Sequence, residues 1–404
     1  MSTSLLYHAF GVRGYYHVNT KYKEGAVFFT IKHDMTSLRC AHCNSRLVTR
    51  RGQKWRRFRT VPIGSRTVWV RLAIQRVHCM LCSLVRQVKI RFADPRRSYT
   101  RAFERYALDL SKHMTIKDVS RHLGVSWDVI KEIQKRHLKK KYARPSLKDV
   151  SQIAIDEISI GKNHRYLTVV LDLISGAVLF VGDGKGADSL TPFFRRIKQC
   201  RSQIKAVAID MSPAYIHAVT NNLPDAKVVF DHFHVIKLYN DKLANLRREL
   251  HHDLTDELQR KVLKGTRWLL LKNPENLNDD KNEKERLQDA LKINAPLSAA
   301  YYLKEDLRQI WDQGSKDVAH KVLVDWVKRA KTSGVKMLTR FAKTLMAHAT
   351  GILNYYDYPI STGPLEGTNN KIKTLQRQAY GFRDMEFFKL KIYDLHSTKY
   401  ALVG

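Results

Sequence analysis

Three carboxylates stand in local settings that suit metal-dependent chemistry. Asp156 follows the apolar run 153–155 and Asp210 follows another at 206–209, so both are predicted at the C-terminal ends of strands. Glu366 lies in a Gly-Pro-Leu-Glu-Gly segment, where a helix is predicted to begin. Acids at two strand ends and on a late helix can converge, and converging carboxylate oxygens bind hard divalent cations such as Mg²⁺. In a strongly basic chain, such a centre indicates chemistry on phosphates.

The prediction of a site rests on the set of acids, because a single aspartate at a strand end is more often a cap or a turn residue. Glu157 adjoins Asp156 but is predicted to face the opposite side of the strand, since side chains alternate. The segment Asp231-His232-Phe233-His234 is a further polar cluster at a predicted strand end. Two interpretations remain: Asp231 and His234 support the site or contact its substrate, or the segment is a turn with solvated histidines.

Four of the five cysteines form two pairs, Cys40-x-x-Cys43 and Cys79-x-x-Cys82. Two such pairs place four thiolates on one tetrahedral, structural Zn²⁺, whereas a redox function would explain only one pair. His42 and His78 adjoin the cysteines but are not needed as ligands. Alternating apolar residues over 67–77 predict a strand that leads to the second pair. The result is a zinc ribbon, a hairpin too small to fold without its metal.

Positive charge is concentrated in residues 1–150, which hold 33 Lys and Arg against 9 Asp and Glu, in a chain of 404 residues with a net charge of +34. Such a surface favours a polyanion, in the first place nucleic acid. A basic segment at 51–59 also carries aromatic residues. The alternative, a charge that serves solubility alone, does not explain why other nucleic-acid-binding signals lie in the same region.

Residues 118–130 have helix-turn-helix form. A helix is predicted to end near Leu123, Gly124 supplies the turn, and Ser126 caps a second helix. Side chains at the start of a recognition helix reach base edges, and the second helix continues into a basic stretch. The predicted contacts with DNA are Trp127, Lys131 and Lys135. The alternative is an ordinary helical hairpin with a glycine turn.

Three predicted strands in a meander, followed by alternating helices and strands over 150–234, indicate an RNase H-like core. Residues 235–355 are nearly all helical in pattern and are predicted to be an insertion into that core. The fold class is therefore multidomain α+β, and the hydrophobic content of 44% suffices for several cores. The predicted segments are 1–95 (zinc ribbon), 96–145 (helix-turn-helix), 150–234 (core), 235–355 (helical insertion) and 356–404 (remainder of the core).

No lipidation signal and no apolar run of about 18 residues or more are present, and the apolar start of the chain is too short for a signal peptide. We therefore expect no membrane partner and a cytoplasmic location.

Five segments resemble bacterial insertion-sequence transposases of the DDE class, specifically the ISL-type group with an N-terminal zinc ribbon. They occur in the family's order and together span most of the chain. The resemblance implies that Asp156, Asp210 and Glu366 are the DDE triad, and that Asp231-x-x-His234 is the Asp/Cys-x-x-His signature of several such groups. The segments are AIDEI (154–158), HRYLTVV (164–170), DMSPAY (210–215), VVFDHFHV (228–235) and STGPLEGTNNKIK (361–373).

The resemblance further implies recognition of terminal inverted repeats, then DNA cleavage and strand transfer at the element ends. The triad would hold two Mg²⁺ (or Mn²⁺) ions, which activate a water and stabilise the attacking and leaving oxygens. The expected partner is double-stranded DNA, bound by a homodimer or larger assembly associated with the nucleoid.

Basic residues that follow Glu366 are predicted to hold phosphates near the metals, and a solvated basic face is the alternative. They are Lys371, Lys373, Arg377 and Arg383. Two rival functions remain for the whole chain: a non-catalytic, sequence-specific DNA-binding regulator derived from a transposase, and an RNase H-like nuclease of repair or resolution.

Overall fold

The computed structural model describes residues 5–143, 147–161 and 165–395. His164 of the second resemblance segment and the first residues of the chain lie outside them. The chain divides after Ala143 into two compact units. No helix in the described ranges is both long enough and apolar enough to cross a membrane.

The first unit contains a five-stranded sheet that carries the four paired cysteines. Its strand order is β1-β2-β4-β3, with β5 on the free side of part of β4. Apolar residues alternate along the strands and form a buried core on one face of the sheet. Helix α1 adds Phe10 to this core. The predicted strand at 67–77 is confirmed, and the basic segment 51–59 also proves to be strand. The elements are α1 Leu5–Phe10, β1 Tyr15–Lys23, β2 Ala26–His33, β3 Val48–Ile63, β4 Arg66–Cys79 and β5 Val85–Gln87.

Three helices complete this unit: α2 Arg101–Leu110, α3 Ile116–Leu123 and α4 Trp127–Lys141. They pack around a small apolar core that includes Phe103 and Ile130. Gly124 ends α3 at φ 60°, a left-handed conformation that glycine adopts without steric cost. Ser126 has the extended backbone of a helix cap, but its side chain makes no capping hydrogen bond. The turn is thus fixed by Gly124 and by packing, and the expected serine cap is wrong in that detail.

The second unit contains a five-stranded sheet of order β10-β9-β6-β7-β8. Strands β6, β7 and β8 form the antiparallel meander, while β9 and β10 run parallel to β6. Helices α5 and α6 cover one face of the sheet, and α15 and α16 cover the other. This is the predicted RNase H-like core. Its elements are β6 Gln152–Gly161, β7 Arg165–Asp172, β8 Val178–Asp183, α5 Ala187–Cys200, β9 Ala206–Ile209, α6 Pro213–Asn222, β10 Lys227–Phe230, α15 Gly363–Gln378 and α16 Met385–Tyr393.

Between β10 and α15 the described chain is helical. The buried aromatic rings of Tyr239, Trp326 and Phe341 meet edge to face in this region, with Tyr239 and Phe341 centroids 4.9 Å apart. The first helix begins at His232, directly after β10, so the interpretation of residues 231–234 as a turn is wrong. The helices are α7 His232–Asp253, α8 Glu257–Lys264, α9 Arg267–Leu271, α10 Glu283–Ile293, α11 Ala295–Arg308, α12 Lys316–Thr332, α13 Lys336–Ala347 and α14 Ala349–Leu353.

Candidate active site and metal centre

Three aspartates lie at one level of three neighbouring parallel strands. Strand β9 pairs in parallel with β6 on one side and with β10 on the other. Continuing these registers past the paired residues places Asp156 beside Asp210, and Asp210 beside Asp231. Ala154 and Ala208, two residues before Asp156 and Asp210, belong to the core under α15 and α16. Because side chains alternate along a strand, the three aspartates face the same helices.

The carboxylate of Asp156 is half-buried and held by two hydrogen bonds. The backbone N–H of Glu157 donates to Oδ1 at 2.8 Å, and Nδ2 of Asn369 donates to Oδ2 at 2.8 Å. Burial raises the pKa of Asp156 to about 6, and the negative charges of Glu157 and Asp210 add to this, while His234 and the Glu157 N–H oppose it. Asp156 is therefore electrostatically coupled to both Asp210 and His234, in a place where a cation would relieve the repulsion between acids.

Glu366 is exposed on the first turn of α15 and lies between two fixed contacts of its own chain segment. Four residues before it, the backbone N–H of Thr362 donates to Asp231 Oδ2 at 3.2 Å, and the Thr362 hydroxyl bonds to the same oxygen. Three residues after it, Asn369 bonds to Asp156. In the sheet, Asp210 lies between these same two aspartates. These two contacts hold the start of α15 against the ends of the strands that lead to Asp156 and Asp231, and Glu366 is exposed between them. Asp210 Oδ1 accepts the backbone N–H of Ser212 at 3.0 Å.

Asp231 is 3% exposed, and both of its oxygens have protein partners. Oδ1 caps α7 by accepting the backbone N–H of Phe233 at 3.0 Å, and Oδ2 holds Thr362. Asp231 thus joins the beginnings of α7 and α15. His234 lies one turn into α7, and its Nδ1 is buried without a hydrogen-bond partner. Of the two residues predicted to support the site, Asp231 has the geometry of a brace and His234 lies near Asp156.

Glu157 points away from this site, as the alternation of side chains predicts. It contacts the hydroxyl of Tyr215, a residue of α6 on the opposite face of the sheet. Burial is the largest cause that raises the pKa of Tyr215 to about 12, and the contact with Glu157 also raises it. The Tyr215 hydroxyl is further bonded to Thr168 at 3.2 Å and accepts the backbone N–H of Gly186 at 3.3 Å.

The basic residues after Glu366 are not all brought to its side of the helix. At 3.6 residues per turn, Lys373 and Arg377 lie within about 20° of Glu366 around the axis of α15, and Lys371 lies about 140° away. Lys373 and Arg377 are both exposed. Arg383 is exposed between α15 and α16. Lys373 and Arg377 therefore lie on the same side of α15 as Glu366, whereas Lys371 does not.

The four paired cysteines form one cluster at the end of the β3–β4 hairpin. Their sulfur atoms all lie within 4.8 Å of one another, with Cys40 and Cys82 Sγ 3.6 Å apart and Cys43 and Cys79 Sγ 3.5 Å apart. Four converging sulfurs fit the closed tetrahedral set of a structural zinc site. Neither neighbouring histidine belongs to this cluster. In the part of the chain that the structure describes, no other group of three or more metal-binding side chains converges as closely, the three carboxylates included.

Backbone N–H groups stabilise the thiolate form of cysteines in this cluster. The backbone N–H of Cys82 is the largest cause that lowers the pKa of Cys79 to about 6. The backbone N–H of Leu84 lowers the pKa of Cys82, but desolvation and the three other thiols outweigh it and raise that pKa to about 12. The four groups cannot all ionise near neutral pH on their own, whereas a bound cation would allow it.

At the start of α4, Trp127 is 54% exposed, and Lys131 Nζ lies 5.8 Å from the centroid of its indole ring. Lys135 follows one turn later and is half-buried. Spacing of four residues puts all three on one stripe of the helix. In helix-turn-helix proteins the start of the second helix is the part that reaches base edges.

Known proteins match both parts of this arrangement. Residues 153–392 match the family model of the DDE transposase domain of the ISL3 type. Residues 88–138 match the helix-turn-helix domain of transposase family ISL3. The chain belongs to the ISL3 family of transposases. It is thus a DNA transposase of the DDE class, and the predicted family is confirmed.

Curated relatives of this transposase span nearly its whole length. It is 32% identical over 356 residues to the transposase for insertion sequence element IS1001 of Bordetella parapertussis, covering 87% of each chain. It is 28% identical over 372 residues to the transposase for IS1557 of Mycobacterium tuberculosis, covering 85% of this chain and 82% of that one. A strand transfer complex of the Drosophila P element transposase superposes with a TM-score of 0.37 at 10% identity, over 73% of this chain and 91% of that chain.

The site of this transposase includes one residue that sequence reasoning missed. Asn369 is 6% exposed and contacts Asp156, although 213 positions separate the two residues. The only signal for it in the sequence is its position three residues after Glu366, because residues three apart are neighbours on the surface of a helix. A second contact, from Gln376 Nε2 to the carbonyl of Ile160 at 2.6 Å, fixes the far half of α15 along β6.

Proposed function

We propose that this transposase cleaves DNA at the ends of its insertion sequence and transfers the freed 3′ ends to target DNA at a metal centre held by Asp156, Asp210 and Glu366. The observation that carries the proposal is the pair of contacts on either side of Glu366. Thr362 is bonded to Asp231 and Asn369 to Asp156, and these contacts support the proposal because they hold the helix of Glu366 against the edge of the sheet where Asp156 and Asp210 lie.

The donor set suits a hard cation, because three carboxylates supply only oxygen. When bound, two Mg²⁺ or Mn²⁺ ions would lower the pKa of a water and stabilise the attacking and leaving oxygens of an in-line displacement. Asp156 and Asp210 are fixed by hydrogen bonds from backbone amides, whereas Glu366 is exposed and would turn inward to complete the site.

The reaction needs no covalent protein–DNA intermediate. A water oxygen bonds to the phosphorus at the element end, the P–O3′ bond breaks, and the 3′ oxygen leaves as a hydroxyl. That 3′-hydroxyl then attacks a phosphorus in target DNA and displaces another 3′ oxygen. Lys373 and Arg377, on the edge of Glu366, would hold the phosphate groups in place. Lys371 and Arg383 would contact DNA farther from the metals.

End recognition belongs to the first unit in this proposal. The stripe of Trp127, Lys131 and Lys135 would contact the terminal inverted repeats. The four cysteines would bind Zn²⁺, which stabilises the hairpin and takes no part in cleavage. The segments 1–95 and 96–145 then recognise DNA, 150–234 and 356–404 form the catalytic core, and 235–355 is the helical insertion. Because two ends must be paired, we propose at least a homodimer on DNA, in the cytoplasm at the nucleoid.

A matched pair of variants at adjacent positions tests the proposal. Asp156→Asn removes one metal-binding oxygen charge and is expected to abolish Mg²⁺-dependent nicking of terminal-repeat DNA while leaving binding of that DNA intact. Glu157→Gln changes the next residue, on the other face of the strand, and is expected to cleave normally. Equal cleavage by Asp156→Asn and wild type would overturn the triad assignment. A wild-type protein that binds ends selectively but never cleaves them would instead favour the regulator derived from a transposase.

A further inference from the structure

One face of the β3–β4 hairpin is covered by tryptophan and arginine. In the antiparallel register Arg57 is opposite Arg71, and Arg59 is opposite Trp69. Trp55 lies two residues before Arg57 on the same side of β3. We call these five residues, Trp55, Arg57, Arg59, Trp69 and Arg71, the Trp-Arg face. The other side of the hairpin is the buried core of the sheet, with Phe58, Val68, Val70 and Leu72 fully buried.

The indole rings of the Trp-Arg face hold its guanidinium groups. The Cζ atoms of Arg57 and Arg59 lie 4.9 Å and 5.4 Å from the centroid of Trp69. Arg71 Cζ lies 5.7 Å from the centroid of Trp55, which is 54% exposed. Stacking on an aromatic ring restricts a long side chain and orients its planar fork of donors. The rings are therefore engaged by arginine, and the arginines are ordered before any partner arrives.

Among the residues that the structure describes, no acid forms a salt bridge with an arginine of this face. Arg57 and Arg71 are directly opposite each other, and like charges in that position destabilise a sheet. Within the described ranges, the salt bridges of this unit join other basic residues to acids and include neither Arg57 nor Arg71. The buried core fixes the register of this pair, and the two guanidinium groups stack on different rings, Trp69 and Trp55, but neither charge is neutralised by these contacts. An anionic partner would convert the repulsion between them into two favourable contacts.

The Trp-Arg face continues into the helix-turn-helix. Arg59 is 5% exposed, and its Nη2 donates to the carbonyl of Leu123 at 2.8 Å. Leu123 is the last residue of α3, immediately before the glycine turn that leads to α4. The backbone of Arg59 is also bonded to Ser98 and Thr100, each at 2.8 Å, and Thr100 caps α2. A buried contact thus ties the face to the turn before the recognition helix within the first unit.

We propose that the Trp-Arg face binds the phosphate backbone of double-stranded DNA next to the segment contacted by α4. This inference rests on the proposed end recognition and adds a second contact surface to it. Arginine forks match phosphate oxygens, and connection to the helix-turn-helix favours DNA over an acidic protein. Stacking of unpaired bases is disfavoured, because the rings that would receive the bases already hold guanidinium groups.

The test compares two double variants of the full-length protein. Arg57→Gln/Arg71→Gln removes the two exposed charges of the face, and Lys54→Gln/Arg86→Gln removes the same charge from exposed positions of the same sheet outside it. Binding to terminal-repeat DNA and to unrelated duplex is measured by fluorescence anisotropy across a range of salt concentrations. Zinc content and thermal unfolding report whether each variant is folded.

The face variant is expected to bind both duplexes at least about tenfold more weakly, and its log Kd against log salt to be less steep by about 1.8, or about 0.9 per phosphate contact. Ethylation interference should lose phosphates adjacent to the helix-turn-helix contacts. If the double variant loses zinc, the single variant Arg71→Gln is measured instead, and its slope of log Kd against log salt is expected to be less steep by about 0.9. A salt slope and affinity equal to those of the control pair would overturn the inference. Failure of the wild type to prefer terminal-repeat DNA would overturn the proposed end recognition instead.

Discussion

The side-chain amide of Asn369 donates to the carboxylate of Asp156 at 2.8 Å and thereby ties the helix of Glu366 to the strand of the first proposed metal-binding acid. The bond also fixes which oxygen of Asp156 faces the helix, since Oδ1 is held by the backbone of Glu157. Residues that orient a metal-binding carboxylate in this way tune the affinity for the ion without contacting it.

Replacing Asn369 should therefore weaken metal capture. We expect Asn369→Ala to raise the Mg²⁺ concentration at half-maximal cleavage by about 10- to 100-fold, because Asp156 loses its orienting donor. The measurement is a Mg²⁺ titration of terminal-repeat cleavage. Asn370→Ala is the control, since this neighbouring side chain is exposed. The same Mg²⁺ requirement in the two variants would show that the hydrogen bond from Asn369 to Asp156 does not affect metal binding.

Asp231 is expected to serve stability rather than metal binding. Asp231→Ala leaves the amides of Phe233 and Thr362 without their charged acceptor, and we expect a loss of about 3 kcal/mol or more in unfolding free energy. Urea unfolding measures this loss. The control Asp183→Ala removes an exposed carboxylate that is paired with the half-buried Lys389, and it should cost about 1 kcal/mol or less.

The two roles of Asp231 differ in their effect on stability without Mg²⁺. If Asp231 is a brace, Asp231→Ala should lose unfolding free energy in the absence of Mg²⁺ as well, and its cleavage should need more Mg²⁺ only because the helix of Glu366 is held less firmly. A stable variant that needs far more Mg²⁺ would mean that Asp231 is itself a metal ligand.

Removing one zinc ligand should abolish end recognition. Cys43→Ser leaves three sulfurs, so we expect less than one zinc per chain and loss of selective binding to terminal-repeat DNA. Chelation of zinc from the wild type should have the same effect. Cys200→Ser changes an exposed cysteine outside the cluster and should leave both zinc content and binding intact. Selective retardation of end DNA by zinc-free protein would contradict the assignment.

Local patterns in the sequence were sufficient for the core strands. The apolar runs before Asp156 and Asp210, residues 153–155 and 206–209, are buried at every position, and the structure has strands there. The strand over 51–59 has no apolar alternation to reveal it, because residues 51–55 are exposed on both sides and the segment is rich in arginine. Contacts distant in sequence, such as Asn369 with Asp156, depend on how α15 packs on the sheet, and no local pattern specifies that packing.

The central claim is that Asp156, Asp210 and Glu366 hold the catalytic metal ions, and anomalous diffraction from Mn²⁺ tests it most directly. Crystals of the transposase bound to terminal-repeat DNA, soaked in Mn²⁺, are predicted to show anomalous peaks about 2.2 Å from oxygens of all three carboxylates, at the usual length of such bonds. Peaks elsewhere in the second unit, with Glu366 turned away from the ions, would contradict the claim.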